Sequence, residues 1–440
     1  MTAAATASAD PRSRGDGLGW VTRAVFGDER IALVVDAGPP AGHAVVARYA
    51  VVPSVARSRF LLPLGSPRVT AAALLAYNRL RPTKVRVVRA ALGVAARAGV
   101  VARAPFPVLT VALPTGLDPA EVLLADRLAA LLGGEAGQLP SGAVGLARPA
   151  GAFRAAMYAA CGVRPPDPNH KPTLQLFDGA GTPRGYAKIG WNDATRALVT
   201  AEAAALRELA GVAGVAGHPG TPRLLAEITW AEQVVAVVEP LPERIRGVPA
   251  DAPPDVPTML AVARRGRPPP EPRPLAGSPF LARLAAEAGW AATADATGGR
   301  AVRAVAELAR RHGGTTVEFG HWHGDWVPWN LGRYAGGLVA WDWEHSRPDV
   351  PVGFDLAHDA FQRSVVLRGQ PVATAADQVG RSLDRYGDRL GLDADRRALV
   401  ADAYLMEMWL RAWRLAEAGA GWNPVLHPGL LDVIEKRYGR

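Results

Sequence analysis

The chain has one cysteine, Cys161, in 440 residues, so no intramolecular disulfide can form and a cysteine-ligated zinc site is excluded. Following Ala159 and Ala160, it reads as a small buried hydrophobe. Lysine is nearly absent. There are four, at positions 84, 171, 188 and 436, against a large excess of arginine, so a lysine placed in an apolar strand stands out. No uninterrupted apolar run reaches the roughly 18 residues of a membrane span. Residues 1–19 are small, polar and charged, without the apolar core of a secretion signal, and are expected to be disordered. A reducing cytoplasm is the expected location. Acidic residues are missing altogether between Asp36 and Asp118, while Arg48, Arg57, Arg59, Arg68, Arg79, Arg81, Lys84, Arg86, Arg89, Arg97 and Arg103 all fall there. Only Tyr49, Phe60, Tyr77 and Phe106 supply aromatics in that stretch, too few for a surface that stacks bases, so nucleic acid is disfavoured as a partner. A solvated arginine face is the plain reading, and an anionic membrane surface or a phosphorylated ligand is the alternative. The pattern G-x-x-x-x-G-K-[ST] does not occur, which argues against a P-loop enzyme.

What is present is the balance of a globular protein, 49% hydrophobic and 21% charged, with a net charge of +9. The length allows two or three packed units. Apolar β-rich runs lie at 31–36 and 44–52, and helical patterns at 69–80, 85–98 and 119–132, the last capped by Asp118. From Lys171 the texture changes. Strands at 173–177 and 185–190 flank an Asp178–Gly181 turn, a helix covers 197–210, and strands at 229–230 and 234–238 end at Glu239-Pro240-Leu241. Residues 240–279 are rich in proline and arginine and read as an irregular connection. Beyond it the pattern is helical at 280–288, 301–312, 374–386, 394–418 and 430–438, with strands at 317–319 and 338–341. The expected division is a basic accessory region over 1–140 that either adds strands to the next unit or stands alone, a small β-rich lobe over 141–240 and a helical lobe over 241–440.

The chemistry concentrates in His323-Gly324-Asp325-Trp326-Val327-Pro328-Trp329-Asn330 and, after a short hairpin, Ala340-Trp341-Asp342-Trp343-Glu344. Phosphoryl transfer needs a carboxylate to orient the attacking hydroxyl and take its proton, and oxygen ligands to hold magnesium against a triphosphate. An Asp and an Asn five residues apart on one loop, with a second Asp ending the next strand, can divide those tasks.

These residues resemble the aminoglycoside phosphotransferase and choline kinase superfamily, relatives of the protein kinases. The catalytic loop H-G-D-x-x-x-x-N is present in full, the metal strand D-W-E follows, and Gly353-Phe354-Asp355-Leu356-Ala357 matches a further family segment. The resemblance covers about residues 140–440 and implies a two-lobed, protein-kinase-like α+β fold. It implies Asp325 as catalytic base, His323 as a brace of the loop, Asn330 and Asp342 as magnesium ligands, and Asp355 as a buried structural acid. It also implies ATP or GTP as donor and a small-molecule hydroxyl as acceptor: a sugar, aminosugar, aminocyclitol or amino alcohol.

Upstream, Lys188 lies in an apolar strand and needs a partner for its charge. Kinase-like folds pair such a lysine with a helix glutamate so that it can hold the α- and β-phosphates. Glu202 is the assigned partner, with Glu208 competing. Glu239 and Leu241 sit where the resemblance places the adenine-binding hinge. No clear glycine-rich phosphate loop precedes Lys188, and residues 141–145 and the Asp178–Gly181 turn are the two candidates. His321 and His323 as a metal pair is a weaker alternative to His323 as a brace. Among Trp322, Trp326 and Trp329, core packing competes with a wall of the acceptor pocket, and the helix carrying Glu407, Trp409, Arg411 and Trp413 is a second candidate wall. Glu435 beside Lys436, Arg437 and Arg440 disfavours a polycationic acceptor. The rival function is a nucleotide-binding pseudokinase acting as a regulator or scaffold through its basic N-terminal region.

Overall fold

A computed structural model describes residues 10–76, 80–81, 83–133, 157–294 and 296–439. They form two compact units, Met1–Trp191 with Leu224–Glu243, and Asn192–Arg223 with Arg244–Arg440. The fold class is α+β, as expected.

The first unit is built on one antiparallel sheet of nine strands: β1 (Ala32–Val35), β2 (His43–Val52), β3 (Phe60–Pro63), β4 (Val108–Pro114), β5 (Tyr158–Gly162), β6 (Thr173–Phe177), β7 (Pro183–Gly190), β8 (Leu224–Trp230) and β9 (Gln233–Val238). Their spatial order is β1-β4-β2-β3-β5-β6-β7-β9-β8. The four N-terminal strands therefore extend the same sheet that carries the β6–β7 hairpin. Alternation along β2 shows how both faces are filled. Tyr49 and Val51 pack with Leu18, Trp20 and Leu128 on one face, and Ala50 packs with Val69, Leu74 and Ala96 on the other.

Residues 10–20 differ from the expectation of disorder. A 3-10 turn at Pro11–Ser13 leads into the helix Gly17–Val25, whose Leu18, Trp20, Val21 and Val25 are buried. Asp16 caps that helix by accepting from the amides of Leu18 and Gly19, worth about 1 kcal/mol. Interspersed glycine and arginine had masked the helical spacing of the apolar residues. Strands β3, β4 and β5 are also additions to the sequence reading. The 119–132 helix breaks at Leu123 into Pro119–Val122 and Leu124–Gly133.

The second unit is mainly helical. Its buried spine is the helix Ala394–Leu415, in which every residue from Leu399 to Trp413 is buried. Around it lie Pro279–Ala294, Ala296–His312, Phe354–Gln362, Val372–Tyr386 and Gly429–Arg437. Two short β pairings position the loop of interest. Phe319–Trp322 pairs with Arg347–Pro351, and Leu331–Tyr334 pairs with Gly337–Ala340. The loop His323–Asn330 runs from the first pairing into the second.

Candidate active site

The hairpin after the loop fixes the distance between its two ends. Leu331 stands opposite Ala340, and the Trp341 amide donates to the Asn330 carbonyl at 3.1 Å. Asn330 is thus held beside the residue that precedes Asp342. Asp342 itself adopts φ +63°, a left-handed conformation uncommon for a non-glycine residue and one that collects at functional sites.

His323 is fully buried and uses both ring nitrogens internally. Its Nδ1 accepts from the Asp325 amide at 3.1 Å, and its Nε2 contacts the Trp341 carbonyl at 3.1 Å. Nε2 therefore carries the hydrogen and the ring is neutral. Burial agrees, pushing its pKa down to about 4. With both nitrogens committed, His323 does not form a metal pair with His321. It ties Asp325 to Trp341, the residue between the strand Gly337–Ala340 and Asp342.

Asp325 is the centre of the arrangement. Its Oδ2 accepts from Asn330 Nδ2 at 2.6 Å, and its Oδ1 lies 3.0 Å from His358 Nε2. The same Asn330 amide group reaches the Asp325 carbonyl at 3.2 Å. Burial alone would raise the pKa of this carboxyl. The hydrogen bond from His358 works against burial, and the group is held below the usual carboxylate range. The Asp325 side chain nevertheless keeps 27% exposure, while the side chain of His358 has none. The braced, ionised carboxylate has one open side, from which it can accept a hydrogen bond from a hydroxyl.

Behind it lies a part that sequence reasoning missed. Tyr404 Oη is 3.1 Å from His358 Nδ1. Both residues are fully buried, and burial keeps the phenol protonated and the imidazole neutral. The phenol hydrogen then goes to Nδ1, which leaves Nε2–H to donate to Asp325. The tautomer follows from the whole chain of partners. His358 stands one helical turn after Asp355, so the two share a helix face. Asp355 accepts from the amides of His323 and Gly324 at 2.9 and 3.1 Å. One helix thus grips the loop twice, through its backbone and through the Asp325 side chain. Burial pushes Asp355 up to about 7, against the pull of those amides and of Arg411.

Gly324 adopts φ +81°, and a Cβ there would sit 2.2 Å from the His345 carbonyl oxygen. Its own carbonyl accepts from Arg411 at 2.8 Å. Arg411 is therefore an internal anchor of the loop, and its guanidinium also lies 4.8 Å over the Trp322 ring. Glu407 is equally internal. It accepts from Arg283 and Arg414 at 2.7 and 2.9 Å. Burial works to raise its pKa, and the guanidiniums of Arg414, Arg283 and Arg347 overcome it and hold the group down to about 2. Trp409 and Trp413 are buried as well. This corrects the expectation that the helix presents Glu407, Trp409, Arg411 and Trp413 as a pocket wall, because that stretch is enclosed on every side. The tryptophans of the loop divide. Trp322 and Trp326 are core, whereas Trp329 is 41% exposed and can touch a ligand.

The donors suit a hard cation. Asn330 spends Nδ2 on Asp325, so its amide Oδ1 is the atom it can offer, and Asp342 adds a carboxylate. Magnesium commonly takes one or two protein oxygens and completes its shell with water and phosphate. Among the described residues no group of three His, Cys, Asp or Glu side chains gathers as a cluster for a metal ion.

The remaining predicted residues lie as follows. Lys188 is half-buried on β7, an inner strand between β6 and β9, with Thr173 and Ala236 as its neighbours in register. Glu202 is buried in the helix Asp193–Ala210. Glu208, its competitor, is exposed and accepts from Arg265 at 2.6 Å. Glu239 and Leu241 are half-buried just after β9. Of the two glycine-loop candidates, residues 141–145 lie outside the described residues. The Asp178–Gly181 turn packs on the start of the helix Pro67–Leu75, where a Cβ on Gly181 would meet the Arg68 carbonyl oxygen at 2.9 Å.

No family model matches the chain, and no curated protein matches it. Solved structures do. Aminoglycoside phosphotransferase APH(4)-Ia, as a thermostable mutant, is 13% identical over 62% of this chain and 92% of its own, with a TM-score of 0.39. Choline kinase from Cryptosporidium parvum is 9% identical over 64% and 87%, with a TM-score of 0.37. Aminoglycoside phosphotransferase APH(3'')-Id from Streptomyces rimosus, solved with ADP and streptomycin, is 18% identical over 53% and 90%, with a TM-score of 0.31.

Proposed function

We propose that this protein is a magnesium-dependent phosphotransferase that moves the γ-phosphoryl group of ATP onto a hydroxyl of a small molecule. The observation that carries the proposal is the Asp325 carboxylate, ionised, partly open, and held from two sides by Asn330 and His358. In an in-line transfer the hydroxyl oxygen bonds to the γ-phosphorus as the bond to the β–γ bridging oxygen breaks. ADP leaves, and the hydroxyl proton passes to Asp325. Asp325 orients the hydroxyl before attack, and His323 keeps the loop against Trp341, next to Asp342. Asn330 and Asp342 are the residues that would hold magnesium, which supplies charge neutralisation at the phosphate oxygens. By resemblance, Lys188 with Glu202 takes the role of steadying the donor phosphates, and Glu239 to Leu241 that of meeting the base. The acceptor class remains a sugar, aminosugar, aminocyclitol or amino alcohol, and a cytoplasmic location fits such a reaction. Phosphorus NMR of the protein with ATP, magnesium and pooled hydroxyl compounds tests this. A new phosphomonoester signal growing as ADP appears is expected, and its absence across the pool with ATP bound would count against the reading.

A further inference from the structure

The helix Thr83–Arg97 of the first unit is seated by a narrow stripe. Only Arg89, Gly93 and Ala96 are buried along it. Arg89 donates to the Leu74 carbonyl at 2.6 Å, and Gly93 lies against Leu75, whose Cγ would be 3.0 Å from an added Cβ. The rest of the helix faces outward, and it is apolar there. Val85, Val87, Val88, Leu92 and Val94 are all exposed, Val87 at 64% and Val94 at 70%, and Val100 in the short helix that follows continues the patch. Alanines at 90 and 91 fill the positions between. Soluble surfaces seldom carry so many exposed branched aliphatics on one element without a use for them. Basic side chains accompany the patch: Arg81, Lys84, Arg97 and Arg103 are exposed. No acidic residue occurs from 37 to 117.

We propose that this face docks the protein peripherally onto an anionic lipid bilayer, with the valines and Leu92 at the headgroup boundary and the basic rim on lipid phosphates and carboxylates. An outward apolar face rimmed by cations is the pattern of an interfacial helix. A nucleic-acid surface would need aromatic or amide side chains among the cations to stack on or read bases. The outward positions here are valine, leucine and alanine. Attachment would be reversible, since among the described residues no helix is long and apolar enough to cross a membrane. The inference is independent of the phosphotransferase reading.

The test is co-sedimentation of the full chain with vesicles of phosphatidylcholine alone and of phosphatidylcholine with phosphatidylserine. Val87→Asp/Val94→Asp and Arg97→Glu/Arg103→Glu are compared with wild type, because these exposed positions can change while a thermal melt confirms the fold. Wild type is expected to sediment with the anionic vesicles and not the neutral ones, and to release at about 0.5 M salt. Each double variant is expected to lose more than about tenfold in partitioning. No association with anionic vesicles would overturn the proposal. So would association that both variants leave unchanged, or binding confined to an RNA oligonucleotide in a parallel mixture.

Discussion

His358 Nε2 lies 3.0 Å from Asp325 Oδ1, and the other nitrogen of the same ring lies 3.1 Å from Tyr404 Oη. The proposed base is therefore oriented by a buried histidine whose tautomer is set by a buried phenol. Replacing His358 with leucine should lower kcat roughly ten- to a hundredfold, as loss of an outer partner commonly does. KM for ATP should change little. His358→Gln can still present an N–H to Asp325 and should recover much of the rate. Tyr404→Phe should slow the wild type yet add little in the His358→Gln background, because the phenol acts through the ring. Steady-state kinetics of the four variants, read as a double-mutant cycle, checks this. Additive losses would contradict it.

Asp355 gives the pH dependence a sign. Its pKa is raised to about 7 by burial, whereas Asp325 is held low. As pH falls through about 7, Asp355 takes a proton and its hold on the His323 and Gly324 amides weakens. Activity should fall on the acid side with a midpoint near 7, although Asp325 stays ionised. The group's contribution to stability has the opposite sense. It is fully present below the unfolded value of 3.8 and is lost as pH rises through about 7. A profile of kcat/KM between about pH 5.5 and 8.5 should show the limb in wild type. In Asp355→Asn the residual activity should lack it.

Gly324→Ala should be severe. The added Cβ would overlap the His345 carbonyl oxygen, and the residue would sit at positive φ. A loss of about 2 kcal/mol or more in stability is expected, together with loss of transfer. Denaturant unfolding measures the first and the NMR assay the second. A variant with wild-type stability would refute the packing argument.

Trp329→Ala makes the opposite test. The ring is substantially exposed, so stability should stay within about 0.5 kcal/mol of wild type. KM for the acceptor should rise while KM for ATP stays. A change confined to ATP would remove Trp329 from the acceptor side.

The loop was legible because its chemistry is local. Asp325 and Asn330 are five residues apart, and one hairpin returns the chain to Asp342, so spacing sufficed to bring these residues near one another. His358 and Arg411 were not, since they reach the loop from 33 and 87 residues away in sequence, and Tyr404 meets the loop only through His358. One signal was available for His358. It follows Asp355 by three residues, and a helix places such positions on one face. The misreading of Glu407 and Arg411 as a wall has a physical cause. Charges on a helix suggest a solvent face, but here Arg283, Arg414 and the Gly324 carbonyl satisfy them inside the protein. In the first unit, the strands Phe60–Pro63 and Tyr158–Gly162 are too short to show a clear period of two. Each pairs with its neighbour in sequence, but their pairing with each other joins segments far apart in the chain, and only the assembled sheet reveals it.

The central claim is that Asp325 acts on the hydroxyl and not on the nucleotide. The most direct measurement is Asp325→Asn assayed in parallel for phosphoryl transfer and for binding of magnesium–ATP by calorimetry. Transfer reduced by more than about a hundredfold, with ATP affinity within about threefold of wild type, is the predicted result. Transfer at the wild-type rate would contradict the account, and so would a loss of ATP binding as large as the loss of transfer.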